Sequence, residues 1–144
     1  MLVHQILKSK PTEGVVSVAS TATVAEASRL LSDKGIGTVL VSDDGETAMG
    51  ILSERDIVRN LGRSGSGCLE HPVSRYMTKK LVTCTRQTTA QEIMKQMTDG
   101  RFRHVPVVEE DKLIGLVSLG DVVKAQLAEL EMEKEALEGM IMGH

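Results

Sequence analysis

Gly50-Ile51-Leu52-Ser53-Glu54-Arg55-Asp56-Ile57-Val58-Arg59 returns 65 residues later as Gly115-Leu116-Val117-Ser118-Leu119-Gly120-Asp121-Val122-Val123-Lys124. Gly, Ser, Asp and one Val are identical, and most other positions exchange like for like. A duplication inside a 144-residue chain predicts two copies of one small unit that pack together and build any ligand site between them. The length suits one domain, or two half-domains that share a core.

Upstream of this element, Thr23-Val24-Ala25-Glu26 aligns with Thr89-Ala90-Gln91-Glu92, 66 residues apart. Each is a Thr-x-x-Glu capping box and marks a helix start. Val24, Ala27, Leu30 and Leu31 follow with helical period in the first copy, and Ala90, Ile93, Met94 and Met97 in the second. The β-branched stretches Val15 to Val18 and Leu81 to Cys84 precede these helices, and Thr38 to Val41 and His104 to Val108 follow them. All four read as strands. Asp43-Asp44-Gly45 and Glu109-Glu110-Asp111-Lys112 supply turns into third strands, Ala48 to Leu52 and Leu113 to Val117. A second helix then starts at each Ser-x-x-Asp, carrying Ile57, Val58 and Leu61 or Val122, Val123 and Leu127. Each copy is β-α-β-β-α.

Gly62 to Gly67 reads as a flexible loop by composition, and Pro72 opens a short helix through Val73 and Tyr76. Ala125 to Met142 is a glutamate-rich helix with Leu127, Leu130, Leu137 and Ile141 roughly on one side, a stripe that predicts packing on its own domain or on a dimer partner. The expected organisation is a first repeat with the N-terminal segment over 1–62, a linker over 63–76, a second repeat over 77–130 and a helical extension over 131–144.

One Phe, one Tyr and no Trp leave a core of Val, Leu, Ile and eight Met, which argues against the aromatic platforms that stack single-stranded nucleic acid. A formal net charge of −3 gives no diffuse attraction to phosphate backbones or anionic lipid, so any anion needs a local site. Cys68 and Cys84 have neither metal-like nor redox-like spacing, and nothing at the N-terminus resembles a signal peptide. The expectation is a reducing cytoplasm with inert thiols. No apolar run approaches the roughly 20 residues that span a bilayer, so a soluble chain without membrane contact is expected. His4, His71, His104 and His144 form no Glu-x-x-His or HExxH, and neither a Gly-x-Ser-x-Gly elbow nor a P-loop is present. The chain carries no visible catalytic apparatus and no metal site.

The Ser-x-x-Asp elements have two readings. Ser53 with Asp56, and Ser118 with Asp121, have the spacing of helix caps. A carboxylate in the first turn of a helix can also accept both vicinal hydroxyls of a ribose, while Ser and the free N–H groups meet phosphate. The Gly three residues before each Ser admits a close approach to the backbone. Arg103 and His104 form either a solvated strand edge or a pair of donors for phosphate oxygens; Gly37 and Thr38 hold the equivalent positions in the first copy. Lys8, Lys10, Lys79 and Arg75 are further basic candidates or ordinary surface charge.

The duplicated unit, the two Gly-hydrophobic-x-Ser-x-x-Asp elements and Arg103-His104-Val105-Pro106-Val107-Val108 resemble the tandem cystathionine-β-synthase (CBS) domain pair, or Bateman module, over roughly residues 1 to 130. The resemblance implies an α+β fold of two repeats packed through their sheets with pseudo-twofold symmetry, plus a C-terminal helix. It implies a non-catalytic regulatory module that binds AMP, ADP, ATP or NAD(H), with S-adenosylmethionine as an alternative, and senses energy or redox state. It also implies a homodimeric disc of four repeats, an effector protein as a further partner, and no nucleic acid. By the same analogy the clefts are crossed. One combines Ile51, Ser53, Arg55 and Asp56 with Thr78, Lys80, Leu81, Val82, Arg103 and His104; the other combines Leu116, Ser118 and Asp121 with Gly14, Val15, Val16, Gly37 and Thr38. The first holds the cations and is expected to be the stronger phosphate site. Adenine is expected to rest on backbone amides and aliphatic side chains. The competing reading is an interaction or dimerisation module with unoccupied clefts, whose acidic C-terminal helix meets the partner.

Overall fold

The computed structural model describes residues 1–10 and 15–142. Among these the elements are α1 (Val3–Ser9), β1 (Ser17–Val18), α2 (Val24–Lys34), β2 (Thr38–Val41), β3 (Gly50–Ser53), α3 (Glu54–Ser64), two 3₁₀ turns (Ser66–Glu70 and Val73–Arg75), α4 (Ala90–Gly100), β4 (His104–Glu109), β5 (Lys112–Ser118) and α5 (Leu119–Ile141). The fold class is α+β, as the duplication predicts. The chain falls into two units. Among the described residues, one holds 15–82 with Glu110–Ile114, and the other holds 1–10, Thr83–Glu109 and 115–142.

In the first unit Thr23 caps α2: its Oγ1 accepts the Glu26 N–H at 3.1 Å and Glu26 Oε2 accepts the Thr23 N–H at 3.3 Å. Gly35, at φ 64°, ends the helix. β2 lies between β1, which it meets in parallel, and β3, which it meets antiparallel. A central strand is covered on both faces, and every residue of Thr38–Val41 is buried. Val24, Ala27 and Leu31 of α2 pack with Val39, Val41, Leu52, Ile57 and Val73 into one core.

The predicted flexible loop is not there. α3 continues to Ser64, Gly65 turns the chain at φ 75°, and Ser66–Glu70 closes into a 3₁₀ turn that buries Cys68. Leu69 packs against the first core, so burial of these two side chains overrides the Gly/Ser composition. The short helix after Pro72 is present as the second 3₁₀ turn.

In the second unit Thr89 caps α4 in the same way as Thr23 caps α2. Ala90, Ile93, Met97, Val105, Val107, Val117, Val122 and Ala125 are buried. β4 and β5 pair through a two-residue turn in which Glu110 and Asp111 both have positive φ, 50° and 65°, the conformation that suits the twist of a tight hairpin. α5 runs unbroken for 23 residues, so the second helix of the repeat and the glutamate-rich segment are one element.

The strand expected at Leu81 to Cys84 does not form; only Cys84 bridges, in parallel, to Val107. The first copy supplies the reason. There the Leu40 N–H donates to the Val16 carbonyl at 3.1 Å and the Ser42 N–H to Val18 at 2.9 Å. The second copy keeps the latter bond, as Val108 N–H to Cys84 at 2.8 Å, but Pro106 stands at the register of Leu40. Proline has no N–H to donate, so the ladder stops at one bridge.

α1 has no counterpart among the elements expected from the sequence. Its residues fall beside the first copy in the chain, yet its bonds run to the second: Val3 N–H to Thr88 O at 2.9 Å, His4 N–H to Arg86 O at 3.1 Å, and Ala90 N–H to Met1 O at 2.8 Å. The terminal amine pairs with Glu129, and Val3 and Ile6 are buried.

Arg101 ends α4 at φ 57°, where Gly35 ends α2 at φ 64°. A side chain in this left-handed region is strained by roughly 1–2 kcal/mol, whereas Gly is the usual residue there. Arg101→Gly is therefore expected to raise stability by about 1 kcal/mol and the melting temperature by a few degrees. A thermal melt checks this; an unchanged or lower midpoint contradicts it.

Candidate functional site

Both Ser-x-x-Asp elements close as reciprocal caps at the step from strand to helix. At the start of α3, Ser53 Oγ accepts the Asp56 N–H at 3.2 Å, and Asp56 Oδ2 accepts the Ser53 N–H at 2.9 Å and its hydroxyl at 3.0 Å. Arg59 approaches the other oxygen, Oδ1, at 3.4 Å. At the start of α5, Ser118 Oγ accepts the Asp121 N–H at 3.1 Å and Asp121 Oδ2 accepts the Ser118 N–H at 2.9 Å. Here the cation is Lys10, whose Nζ lies 2.9 Å from Asp121 Oδ2 and donates to the Leu116 carbonyl at 2.7 Å. Capping leaves Asp121 Oδ1 outside all of these contacts.

The glycines before each serine do admit close neighbours, and those neighbours are the chain itself. A Cβ on Gly50 would stand 2.6 Å from Met77 Sδ and 2.9 Å from the Thr78 carbonyl oxygen; one on Gly115 would stand 2.7 Å from Leu7 Cδ2. Thr78 exchanges both of its backbone bonds with Ile51, at 2.8 and 3.0 Å.

The position ahead of the middle strand in each copy bonds to the first helical residue of its own Ser-x-x-Asp element. The Glu54 N–H donates to the Gly37 carbonyl and the Leu119 N–H to the Arg103 carbonyl, both at 2.8 Å. Ile51, Ser53, Asp56, Gly37, Thr38 and Thr78 therefore meet in one unit; Leu116, Ser118, Asp121, Arg103 and His104 meet in the other, joined by Lys10. Arg55, Lys80 and Val82 are exposed, while Val15, Val16 and Leu81 are half-buried. Gly14 lies outside the described residues. Lys8 belongs to the last turn of α1, Lys79 is exposed, and Arg75 lies over the Tyr76 ring.

Electrostatics separate the two elements. Burial pushes the Asp121 carboxyl upward, but the Lys10 hydrogen bond, the Ser118 N–H and the Lys10 charge outweigh it and hold it below the usual 3.8. Burial lowers His104 below 6.5; the charges of Lys10 and Arg103 add to this, and Asp121 opposes it. The neutral imidazole is thus the form the fold prefers, while the unfolded chain takes a proton near the ordinary value. This contribution to stability is present above about pH 6.5 and is lost as pH falls through the lowered folded value. Asp121 acts in a separate window, below 3.8. Denaturant unfolding at neutral pH and at mildly acidic pH is expected to show lower stability in acid, with a shallower slope in His104→Gln. An identical slope in the variant contradicts the assignment.

Among the described residues, no group of three or more His, Cys, Asp or Glu is placed to hold a metal ion, and no helix is long and apolar enough to cross a membrane. Cys68 and Cys84 are buried and unpaired as disulfides, and burial pushes the Cys84 thiol up to about 12. Iodoacetamide at mildly alkaline pH is expected to leave both unmodified in the native protein and to label both in denaturant. Fast labelling of Cys84 in the native state contradicts this.

The family model for the CBS domain matches this chain twice, over residues 3–63 and 73–128. A CBS-domain-containing mitochondrial protein of Arabidopsis thaliana is 36% identical over 125 residues, covering 84% of this chain and 61% of its own length. A second Arabidopsis CBS-domain protein is 31% identical over 83% of this chain and 22% of its own length. This chain thus spans less than two thirds of either relative. Among solved structures, a CBS-domain-containing protein from Agrobacterium tumefaciens superposes with a TM-score of 0.82 at 40% identity, over 88% of this chain and 99% of that one. A CBS domain protein from Pyrobaculum aerophilum complexed with AMP gives 0.77 at 24% identity, over 92% and 99%. A CBS domain pair in complex with 5'-methylthioadenosine and S-adenosyl-L-methionine gives 0.75 at 20% identity, over 87% and 98%. At these last two identities the likeness is one of fold.

Proposed function

The chain belongs to the CBS-domain family, and from that premise we propose that it is a non-catalytic regulatory module that binds an adenosine nucleotide. AMP is the first candidate, with ADP, ATP and NAD(H) in the same class and S-adenosylmethionine as the alternative. The observation that carries the reading is the Lys10 ammonium against the Ser118–Asp121 helix start, where His104 feels the Asp121 charge and the Arg103 carbonyl holds the Leu119 N–H. A ribose would bring its two hydroxyls to the Asp121 carboxylate and displace Lys10 from it. The freed ammonium, the Arg103 side chain and the positive end of α5 would then face the phosphate. Adenosine ligands in two solved relatives support the ligand class.

The two Asp elements are unequal in this reading. The crossed arrangement assigns the cations Arg103 and His104 to Asp56; the ion pair of Lys10 with Asp121 favours Asp121 instead, so the stronger phosphate site is proposed there. Asp56 has Gly37 and Thr38 at the corresponding positions and is the weaker. Binding shifts the module, or a homodimer of it, toward a state that an effector protein recognises. A mass spectrum of small molecules released from protein purified without added nucleotide is expected to show an adenosine compound. A released ligand of another class overturns the reading, and turnover of the bound nucleotide would make the protein an enzyme.

The second reading, an interaction module with unoccupied sites, is favoured by the exposed apolar side chains of α5. Truncation after Gln126 separates the two. Loss of effector binding on truncation, in a protein that binds no AMP before or after it, supports the second reading; AMP binding that the truncated protein retains supports the first.

A further inference from the structure

α5 has two apolar faces, and the chain covers only one. Val122 and Ala125 are buried, whereas Val123, Leu127, Leu130, Leu137 and Ile141 are 40%, 62%, 59%, 59% and 83% exposed. With Lys134, these exposed residues recur at alternating spacings of four and three from 123 to 141, the seam of a coiled coil. At about 100° per residue the seam lies roughly 130° around the helix from the buried face. It is a line of five large aliphatic side chains interrupted once, by Lys134, not a scatter of single ones. Glu131, Glu133, Glu135 and Glu138 flank it, a charge that repels an anionic lipid surface.

We propose that a second copy of this chain covers the seam, the two α5 helices packing antiparallel about a twofold axis at the level of Met132. In that direction the pattern is its own complement. Val123 meets the partner's Ile141, Leu127 the partner's Leu137, and Leu130 the stem of the partner's Lys134, each layer occurring twice. The charges agree with the direction. Lys124 falls beside the partner's Glu138 at both ends of the pair. Glu131 and Glu133 face their own copies near the axis, and the two Lys134 ammonium groups stand between them. Within one chain Lys134 and Glu138 are only loosely paired, at 4.0 Å and largely exposed, so both can turn to a partner. Parallel packing would instead set Lys134 against the partner's Lys134 inside the seam and Lys124 opposite the partner's Leu119, with no acid across from it. This names the surface of the proposed homodimer and is independent of the nucleotide site.

Full-length Leu127→Cys and Leu137→Cys chains, mixed under oxidising conditions, test it; Cys68 and Cys84 are buried and stay out of the reaction. The expected result is a disulfide between Cys at 127 of one chain and Cys at 137 of the other, lost when Leu130→Asp is added to both. Sedimentation is expected to show a dimer that Leu130→Asp weakens by about tenfold or more, with helicity unchanged by circular dichroism. A single-chain mass for the unmodified protein overturns the homodimer and its surface together. A dimer without the 127–137 disulfide, or one in which Leu127→Cys alone links to itself, overturns the surface and direction but leaves the homodimer standing.

Discussion

Asp121→Ala is expected to weaken AMP binding by about 100-fold. The carboxylate would accept two hydroxyl donors of the ribose, and charge-assisted bonds of this kind contribute about 1.5–3 kcal/mol each when the rest of the site is in place, so their joint loss reaches two decades of affinity or more. Alanine also removes half of the cap on α5, at a cost of about 1 kcal/mol in stability. Asp121→Asn separates the two effects, since an amide oxygen can still accept the Ser118 N–H while the charge is gone; it is expected to keep most of the stability and lose most of the affinity. Asp56→Ala should show the smaller affinity change, because Gly37 and Thr38 stand in the first copy where the second has Arg103 and His104. Calorimetric titration of the three variants reads these differences. Unchanged affinity in folded Asp121→Ala contradicts the assignment of the ribose to this residue.

Gly50→Val is expected to cost about 2–3 kcal/mol of stability, and the melting temperature should fall by roughly 5–10 °C. The new Cβ would meet the Thr78 carbonyl oxygen at 2.9 Å, and that atom is backbone held by its bond from the Ile51 N–H. Relief requires parting β3 from the segment after Tyr76. Gly115→Val is expected to cost less, about 1 kcal/mol, because the atom it meets is the end of the Leu7 side chain, which can change rotamer. Denaturant midpoints for the pair check the contrast. Equal costs would mean that the two close approaches are not different in kind.

Much of the fold is legible in the sequence because the chain states it twice. Thr23 and Thr89, and Ser53 and Ser118, each announce a helix start by a side chain that can satisfy a free N–H three residues on, and all four caps form. Such signals are local, and local chemistry survives the absence of tertiary information. Sequence and structure part where a non-local partner decides. Leu81 to Cys84 has strand composition, but a strand needs donors on its neighbour, and Pro106 lacks the one that Leu40 has. Gly62 to Gly67 has loop composition, but burial of Cys68 and Leu69 orders the turn at its end. α1 escapes a sequence reading even though Val3, Ile6 and Leu7 have helical spacing, because its first-turn partners, Thr88 and Arg86, are more than 80 residues away.

The candidate site shows the same division. Ser118 and Asp121, and Arg103 with His104, stand out in the sequence, by repetition or by chemistry. That they adjoin each other within one copy cannot be read from spacing, because the bond from the Leu119 N–H to the Arg103 carbonyl depends on the β4–β5 pairing. Lys10 is one of several basic residues with no distinguishing signal. Only the docking of α1 on the second copy brings it to Asp121, where it occupies the oxygen that a ribose would claim.

A calorimetric titration of the unmodified 144-residue protein with AMP tests adenosine-nucleotide binding at the two Ser-x-x-Asp elements. Saturable heat is expected with a tighter and a weaker event, the tighter one lost in Asp121→Ala and the weaker one in Asp56→Ala. No saturable heat from AMP, ADP, ATP, NADH or S-adenosylmethionine would contradict it.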